Sequence, residues 1–219
     1  MKKLLITIDG PAGAGKTTVS RALADRLGYR YIDTGALYRG IALAAKNRGV
    51  DPQDDKNLKL LCKDIDLNFV KQDKGLGLFL DGEDISDRIR TPEITMMASA
   101  VSARPVVREF LLGLQKGLGR EKAAVFEGRD MGTVVFPEAD LKFFLDASTR
   151  TRARRRYEEQ KSKNSQTLDE VEQDIQRRDH NDSTRDVAPL KPAADAIIID
   201  CTELSADEVV ALMVSHIRK

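Results

Sequence analysis

The 219-residue sequence has only two cysteines, two histidines, no real excess of either charge and no long apolar run. Each scarcity excludes something. Cys62 and Cys201 lack the spacing of a metal or redox pair, and two cysteines make no disulfide framework. His180 and His216 are too few for a His-based zinc site. Lys and Arg number 36 against 35 Asp and Glu. There is thus no global electrostatic case for a nucleic-acid polymer or a membrane surface, and any anion site must be local. No stretch reaches the roughly 18 apolar residues of a membrane-spanning helix. The opening, Met1 to Asp9, is basic and then apolar like a signal peptide. Its apolar run is short, however, and Asp9 interrupts it, so it reads as a buried first strand. With 41% hydrophobic residues, the chain is expected to form one compact domain with room for inserts, in a reduced cytoplasmic setting.

Along the chain, short apolar runs alternate with helical patterns. Strands are predicted at Leu4–Asp9, Tyr31–Asp33, Ala124–Glu127, Leu141–Asp146 and Ala196–Asp200. Helices are predicted from Lys16 to Leu27, stopped by Gly28, and over residues 36–47, 93–119 (broken near Arg104-Pro105) and 148–163. Thr167-Leu168-Asp169-Glu170 and Ser205-Ala206-Asp207-Glu208 are capping-box patterns that open two more. Five apolar strands separated by helices predict a parallel α/β sheet covered on both faces. Residues 67–90 break the alternation. Leu67–Val70, Leu78–Leu80 and Glu83–Ile85, joined by turns at Asp73-Lys74-Gly75 and Asp81-Gly82, predict a small antiparallel insert. The polar stretch from Glu158 to Gln166 is expected to be mobile.

Gly10-Pro11-Ala12-Gly13-Ala14-Gly15-Lys16-Thr17 matches the phosphate-loop pattern in full, between a strand and an amphipathic helix. Backbone N–H groups of the turn and the helix N-terminus would cradle phosphate. Lys16 would reach the β- and γ-phosphates, and Thr17 would place its hydroxyl on Mg²⁺. Such a loop serves kinases, switches and motors alike. A guanine-reading Asn-Lys-x-Asp segment is missing, and a motor usually belongs to a larger chain. A small-molecule kinase needs a second anion site and a cationic lid. Three segments offer the second site: Asp33 to Arg39, Glu127 to Thr133, and Arg177 to Asp182 with Arg185. The first two follow strand C-termini, the edge shared with the phosphate loop in a parallel sheet.

These blocks resemble the bacterial cytidylate kinase family, of the nucleoside monophosphate kinase group. The matching runs are I-T-I-D-G-P-A-G-A-G-K-T-T at 6–18, D-T-G-A-L-Y-R at 33–39, D-G-E-D-I at 81–85, G-R-D-M-G-T-V-V-F-P at 128–137 and R-D-V-A-P-L at 185–190. They cover nearly the whole chain in order. Two departures are mild: Thr34 where some relatives have Ser, and Glu127 where others have Asp. The resemblance implies the phosphate-loop nucleoside-monophosphate-kinase fold, with a five-stranded parallel core over 1–36, 106–149 and 167–219. It also implies a monophosphate-binding insert over about 37–105, containing the small antiparallel sheet, and a short lid at about 150–166. It implies a monomer that uses ATP and Mg²⁺ to phosphorylate CMP and dCMP well and UMP poorly. Kinases for UMP, shikimate or dephospho-coenzyme A, and a non-catalytic nucleotide switch, are the alternatives.

Roles follow from residue chemistry and from the resemblance together. Gly10, Pro11, Ala12, Gly13, Ala14, Gly15, Lys16, Thr17 and Thr18 would bind ATP. Asp130 can accept from cytosine N4–H₂ and repel the uracil oxygen at that position; its ordinary role would be a helix or turn cap. By resemblance, Ser99, Arg108 and Arg185 also face the base, and Arg178 and Asp182 meet the ribose. Without it, the latter two would be a solvated pair one helical turn apart. Thr34, Arg39 and Arg129 would hold the acceptor phosphate, a task suited to guanidinium forks. Glu127, with Asp33 as competitor, would support Mg²⁺ through water. Arg150, Arg152, Arg154, Arg155 and Arg156 form either a solvated helix face or a lid. Arg154 and Arg155 are the expected contacts to the transferring phosphoryl group, beside Lys16 and Arg129. No nucleophilic side chain is required, because the acceptor phosphate is already ionised.

Overall fold

A computed structural model describes residues 3–72, 75–160 and 166–217. The chain divides into two compact units, one of Met1–Arg30 with Lys122–Lys219 and one of Tyr31–Glu121.

The first unit is built on β1 (Leu5–Asp9), which is buried from end to end. It pairs in parallel with β6 (Ala124–Glu127) on one side and β7 (Leu141–Asp146) on the other, and β7 pairs in parallel with β8 (Ile197–Asp200). With β2 (Arg30–Asp33), the five-stranded parallel sheet runs in the order β2-β6-β1-β7-β8. Apolar residues predominate along the central strands, LITID in β1 and LKFFLD in β7, because helices cover both faces. Helix α1 (Lys16–Leu27) packs on β6 and on α8 (Ala206–Ile217), while α6 (Thr149–Gln160) packs on α7 (Leu168–Thr184). Ile6, Ile8, Leu23, Phe126 and Phe143 are fully buried, each stabilising the unit by about 1.5–3 kcal/mol. Gly28 ends α1 in the left-handed conformation, as its position predicts. Both capping boxes form: Thr167 and Glu170 exchange hydrogen bonds at the start of α7, and Ser205 and Glu208 do so before α8. Of the basic helix expected over 148–163, residues 161–163 lie outside the described residues.

The second unit contains α2 (Thr34–Asn47), α3 (Asp55–Asp64), α4 (Pro92–Ser102) and α5 (Pro105–Gly119). A three-stranded antiparallel sheet, β3 (Leu67–Gln72), β4 (Gly75–Leu80) and β5 (Glu83–Asp84), completes it. The unit also takes in Tyr31–Asp33 of β2. Between β4 and β5, Asp81 and Gly82 have φ of 51° and 85°, the two positive angles that a tight hairpin turn requires. The other expected turn, at Asp73-Lys74, lies outside the described residues. Leu37, Ile41, Leu58, Leu78, Ile85 and Ile89 form the middle of an apolar core that draws on every helix and on β3 and β4. Pro105 opens α5, which explains the break after Ser102. Helix α3 has no counterpart in the sequence reading. Its cap is Asp54, whose side chain accepts from Asn57 N at 3.0 Å.

Candidate active site

The phosphate loop joins the buried β1 to α1. Gly15 precedes α1 with φ of 86° and no side chain caps the helix, whereas α7 and α8 fill their own first turns. The first N–H groups of α1 are therefore left for an anion. A Cβ on Gly10 would lie 2.1 Å from the Leu145 carbonyl oxygen, so the loop starts hard against β7. Lys16 is buried and its Nζ donates to Pro11 O at 2.6 Å, curled over its own loop. Burial, assisted by Arg129 and opposed by Glu127, pushes the Lys16 ammonium down to about 7. Thr17 Oγ1 donates to Glu127 Oε1 at 2.8 Å, across from the C-terminal end of β6.

Beyond β6 the chain turns through Gly128-Arg129-Asp130 into a single π-helical turn, Met131–Val135. Arg129 Nε donates to Asp182 Oδ2 at 3.0 Å. Arg185 stands 3.9 Å from Asp182 Oδ1 through one terminal nitrogen and 3.9 Å from Asp130 Oδ1 through the other. Its Nε donates to Ala188 O at 2.7 Å, which fixes the guanidinium plane. Burial works against the Asp182 carboxylate, but Arg129, Arg178 and Arg185 outweigh it and hold its pKa below the usual range. Asp130, Asp182, Arg129 and Arg185 thus form one cluster of alternating sign at the end of β6. Asp182 is buried and pairs with Arg129 and Arg185, so it is not part of a merely solvated helix face. Asp130 precedes the π turn but makes no side-chain capping bond to it.

The five clustered arginines have separate fates. Arg152 is buried and donates to Ala147 O at 2.8 Å, Ala12 O at 3.1 Å, Thr149 Oγ1 at 3.1 Å and the Asp179 carboxylate. It is a strut between α6, α7 and the phosphate loop. Arg150 pairs with Asp169 and Glu172 on α7, and Arg156 with Glu159. Arg155 donates to Cys201 O at 2.7 Å and Leu204 O at 3.4 Å, after β8. Arg154 is exposed and has no hydrogen bond or ion pair among the described residues.

In the second unit, Asp33 caps α2 by accepting from Ala36 N at 3.0 Å and binds Arg39 Nη2 at 2.7 Å. Both of its oxygens are thereby engaged. Thr34 is buried at the first position of α2. Arg108 is buried, donates to Ser102 O at 3.1 Å and lies 5.7 Å over the Tyr38 ring. Ser99, half-buried on α4, accepts from Ser102 Oγ at 2.9 Å through its backbone oxygen.

A family model described as cytidylate kinase matches residues 6–219. The chain belongs to the cytidylate kinase family. A cytidylate kinase of Geobacter sulfurreducens is 51% identical over 217 residues, spanning 99% of this chain and 93% of that protein. One of Syntrophotalea carbinolica is 49% identical over 213 residues, spanning 97% and 91%. Among solved structures, a shikimate kinase from Bacteroides thetaiotaomicron shares the fold, with a TM-score of 0.53 at 15% identity and full coverage of both chains.

Membership of the cytidylate kinase family implies a nucleotide-bound metal, and the residues present suit one. The Thr17 hydroxyl and the Glu127 carboxylate are hard oxygen donors already in contact. No three His, Cys, Asp or Glu side chains gather among the described residues, so Mg²⁺ here would draw most ligands from phosphate and water, as it prefers to. Two residues packed around these segments had no role of their own in the sequence reading: Asp9, whose buried carboxylate accepts from the Met131 and Gly132 amides, and the strut Arg152, named there only as one of five clustered arginines. An interrupted apolar strand was the only signal for Asp9. Nothing in a run of arginines distinguished Arg152 from its neighbours.

Proposed function

We propose that this chain transfers the γ-phosphoryl group of ATP to CMP, and to dCMP, giving ADP and the pyrimidine diphosphate. The observation that carries the reading is the Asp130–Arg185–Asp182–Arg129 cluster, with both aspartates buried, beside an uncapped phosphate loop, in a chain of the cytidylate kinase family. Residues 10–18 bind the ATP phosphates. Lys16 leaves Pro11 O for the β- and γ-phosphate oxygens. Its pKa, held near 7 by burial, would rise as it meets that negative charge. Thr17 and Glu127 are the residues that would hold Mg²⁺, which when bound supplies neutralisation of phosphate charge. Asp33, occupied as a helix cap and by Arg39, is the weaker candidate for that task.

On the acceptor side, Asp130 accepts from cytosine N4–H₂, with Arg185 orienting its carboxylate. Ser99 and Arg108 also face the base, and Arg178 and Asp182 meet the ribose. Thr34, Arg39 and Arg129 hold the acceptor phosphate, one of whose ionised oxygens attacks the γ-phosphorus. Catalysis is then positioning plus charge stabilisation. Of the two lid arginines expected at the transferring group, Arg154 is exposed, while Arg155 must first give up two backbone carbonyls. Of the lid expected at 150–166, residues 161–165 lie outside the described residues; closure only over both nucleotides would keep water from competing with CMP. Two buried free thiols fit a cytoplasmic enzyme acting on free nucleotides as a monomer.

A coupled ADP-release assay across CMP, dCMP, UMP, AMP and GMP tests the proposal. CMP and dCMP should lead by kcat/KM, with ATP hydrolysis in the absence of acceptor far slower than transfer. UMP or AMP equalling CMP would overturn it.

A further inference from the structure

Asp9 is the last residue of β1, immediately before the phosphate loop. Its side chain does not turn into that loop. One carboxylate oxygen accepts from Met131 N at 2.9 Å and the other from Gly132 N at 2.7 Å. These are the first two amides of the π turn, the groups that a helix start leaves without partners. Asp130, the residue in the capping position, makes no side-chain bond to the turn. The cap is therefore supplied from a different strand, and Asp130 is left to aim its carboxylate at Arg185.

We propose that Asp9 is a positioning residue for the acceptor-reading turn, holding Arg129 and Asp130 in register with the donor loop that begins at Gly10. The inference rests on the reading of Asp130 as the base-recognising group. Three observations support it. An ionised carboxylate can accept from two amides at once, whereas an amide side chain in its place would turn a donor against one of them. Next, the arrangement is held against a cost. Burial, only partly offset by the two amides, pushes the Asp9 carboxyl up to about 6, with Asp130 adding repulsion and Lys16 attraction. Last, Gly132 closes the clamp from the other side: a Cβ there would lie 3.1 Å from Thr7 Oγ1, 3.2 Å from Lys142 Cδ and 3.4 Å from Asp9 Oδ2.

The test is steady-state kinetics of Asp9→Asn with CMP, UMP and ATP varied in turn, beside Asp130→Ala. In Asp9→Asn the KM for CMP should rise roughly tenfold and the CMP-to-UMP ratio of kcat/KM should fall, while the KM for ATP stays within about twofold. Gly132→Ala, which presses on the same clamp, should give the same split and serves if Asp9→Asn does not fold. The amide resonances of Met131 and Gly132 should move in Asp9→Asn with the rest of the spectrum unchanged. An unchanged KM for CMP, or equal rises in both KM values, overturns the proposal whatever Asp130→Ala does. An unchanged CMP-to-UMP ratio in Asp130→Ala overturns the base reading instead.

Discussion

The two units bury different things. Among the described residues, the first buries the charged side chains of Asp9, Lys16, Glu127, Asp130, Lys142, Arg152 and Asp182, while the second buries only that of Arg108. Buried charge is costly unless it is paired and hydrogen-bonded. Lys142 and Arg152 meet that condition, with Asp195 and Pro137 O around the one and four acceptors around the other. Lys16 does not, since one backbone carbonyl is a poor exchange for water or phosphate. The difference separates stability from chemistry. The second unit is an apolar core in which charge has almost no place. The first holds buried charges, and one of them, Lys16, has a single backbone carbonyl as its hydrogen-bond partner.

That contrast makes predictions, the largest on the side of chemistry. Lys16→Ala should lower kcat by about a thousandfold, the upper range for losing one charge-stabilising donor, while its circular dichroism stays that of the parent. Near-normal turnover in a folded variant would remove Lys16 from the mechanism. Asp130→Ala should lower CMP-over-UMP discrimination about ten- to a hundredfold, the value of one hydrogen bond to a charged group. Arg39→Ala, which removes a group proposed to hold the acceptor phosphate and not the base, should cut kcat/KM for CMP and UMP in equal proportion. Unequal losses at Arg39 would mean that it reads the base.

The second unit should answer in stability instead. Ile41→Ala, at a fully buried position of α2, should cost about 2–5 kcal/mol in urea unfolding, with turnover per folded molecule changed less than about twofold. A larger kinetic loss would blur the distinction. The smallest effect is a pH dependence. Between about pH 7 and 10.5 the unfolded chain carries more protons on Lys16 than the folded chain does, so the stability cost of this lysine fades as pH rises through that window. Lys16→Met should therefore exceed the parent in stability most clearly below pH 7. The gap should close by up to about 1.4 kcal/mol per pH unit above it. A gap independent of pH would show that Lys16 is protonated throughout.

Much of the fold was legible because it depends on local pattern. The strand Leu5–Asp9, the stop at Gly28, the hairpin at Asp81-Gly82 and both capping boxes lie where apolar runs and turn chemistry put them. Helix α3 was not legible, because Leu58, Leu61 and Cys62 are its whole buried face and polar residues surround them. The π turn was not legible either. Its cap comes from Asp9, and no window along the sequence contains both partners. The acceptor cluster was legible as residues but not as an arrangement: nothing in the sequence says that Asp182 bonds Arg129, 53 residues away. The arginine run shows the same limit, since composition cannot tell the strut Arg152 from the exposed Arg154.

The closeness of Gly10 to Leu145 bears on what the phosphate-loop pattern records. A methyl group at Gly10 would collide with the backbone of β7 whether or not nucleotide were bound. Gly15 meets no such wall; the nearest atom to its missing Cβ is Arg155 Nη1 at 3.9 Å, and only its backbone angle reserves the position. The first glycine of the motif is thus held by packing between neighbouring strands as well as by its φ of 147°, and the last by conformation alone at a helix start. A chain could lose its taste for nucleotides and still be held to the first, so this signature should outlive the chemistry it is used to detect.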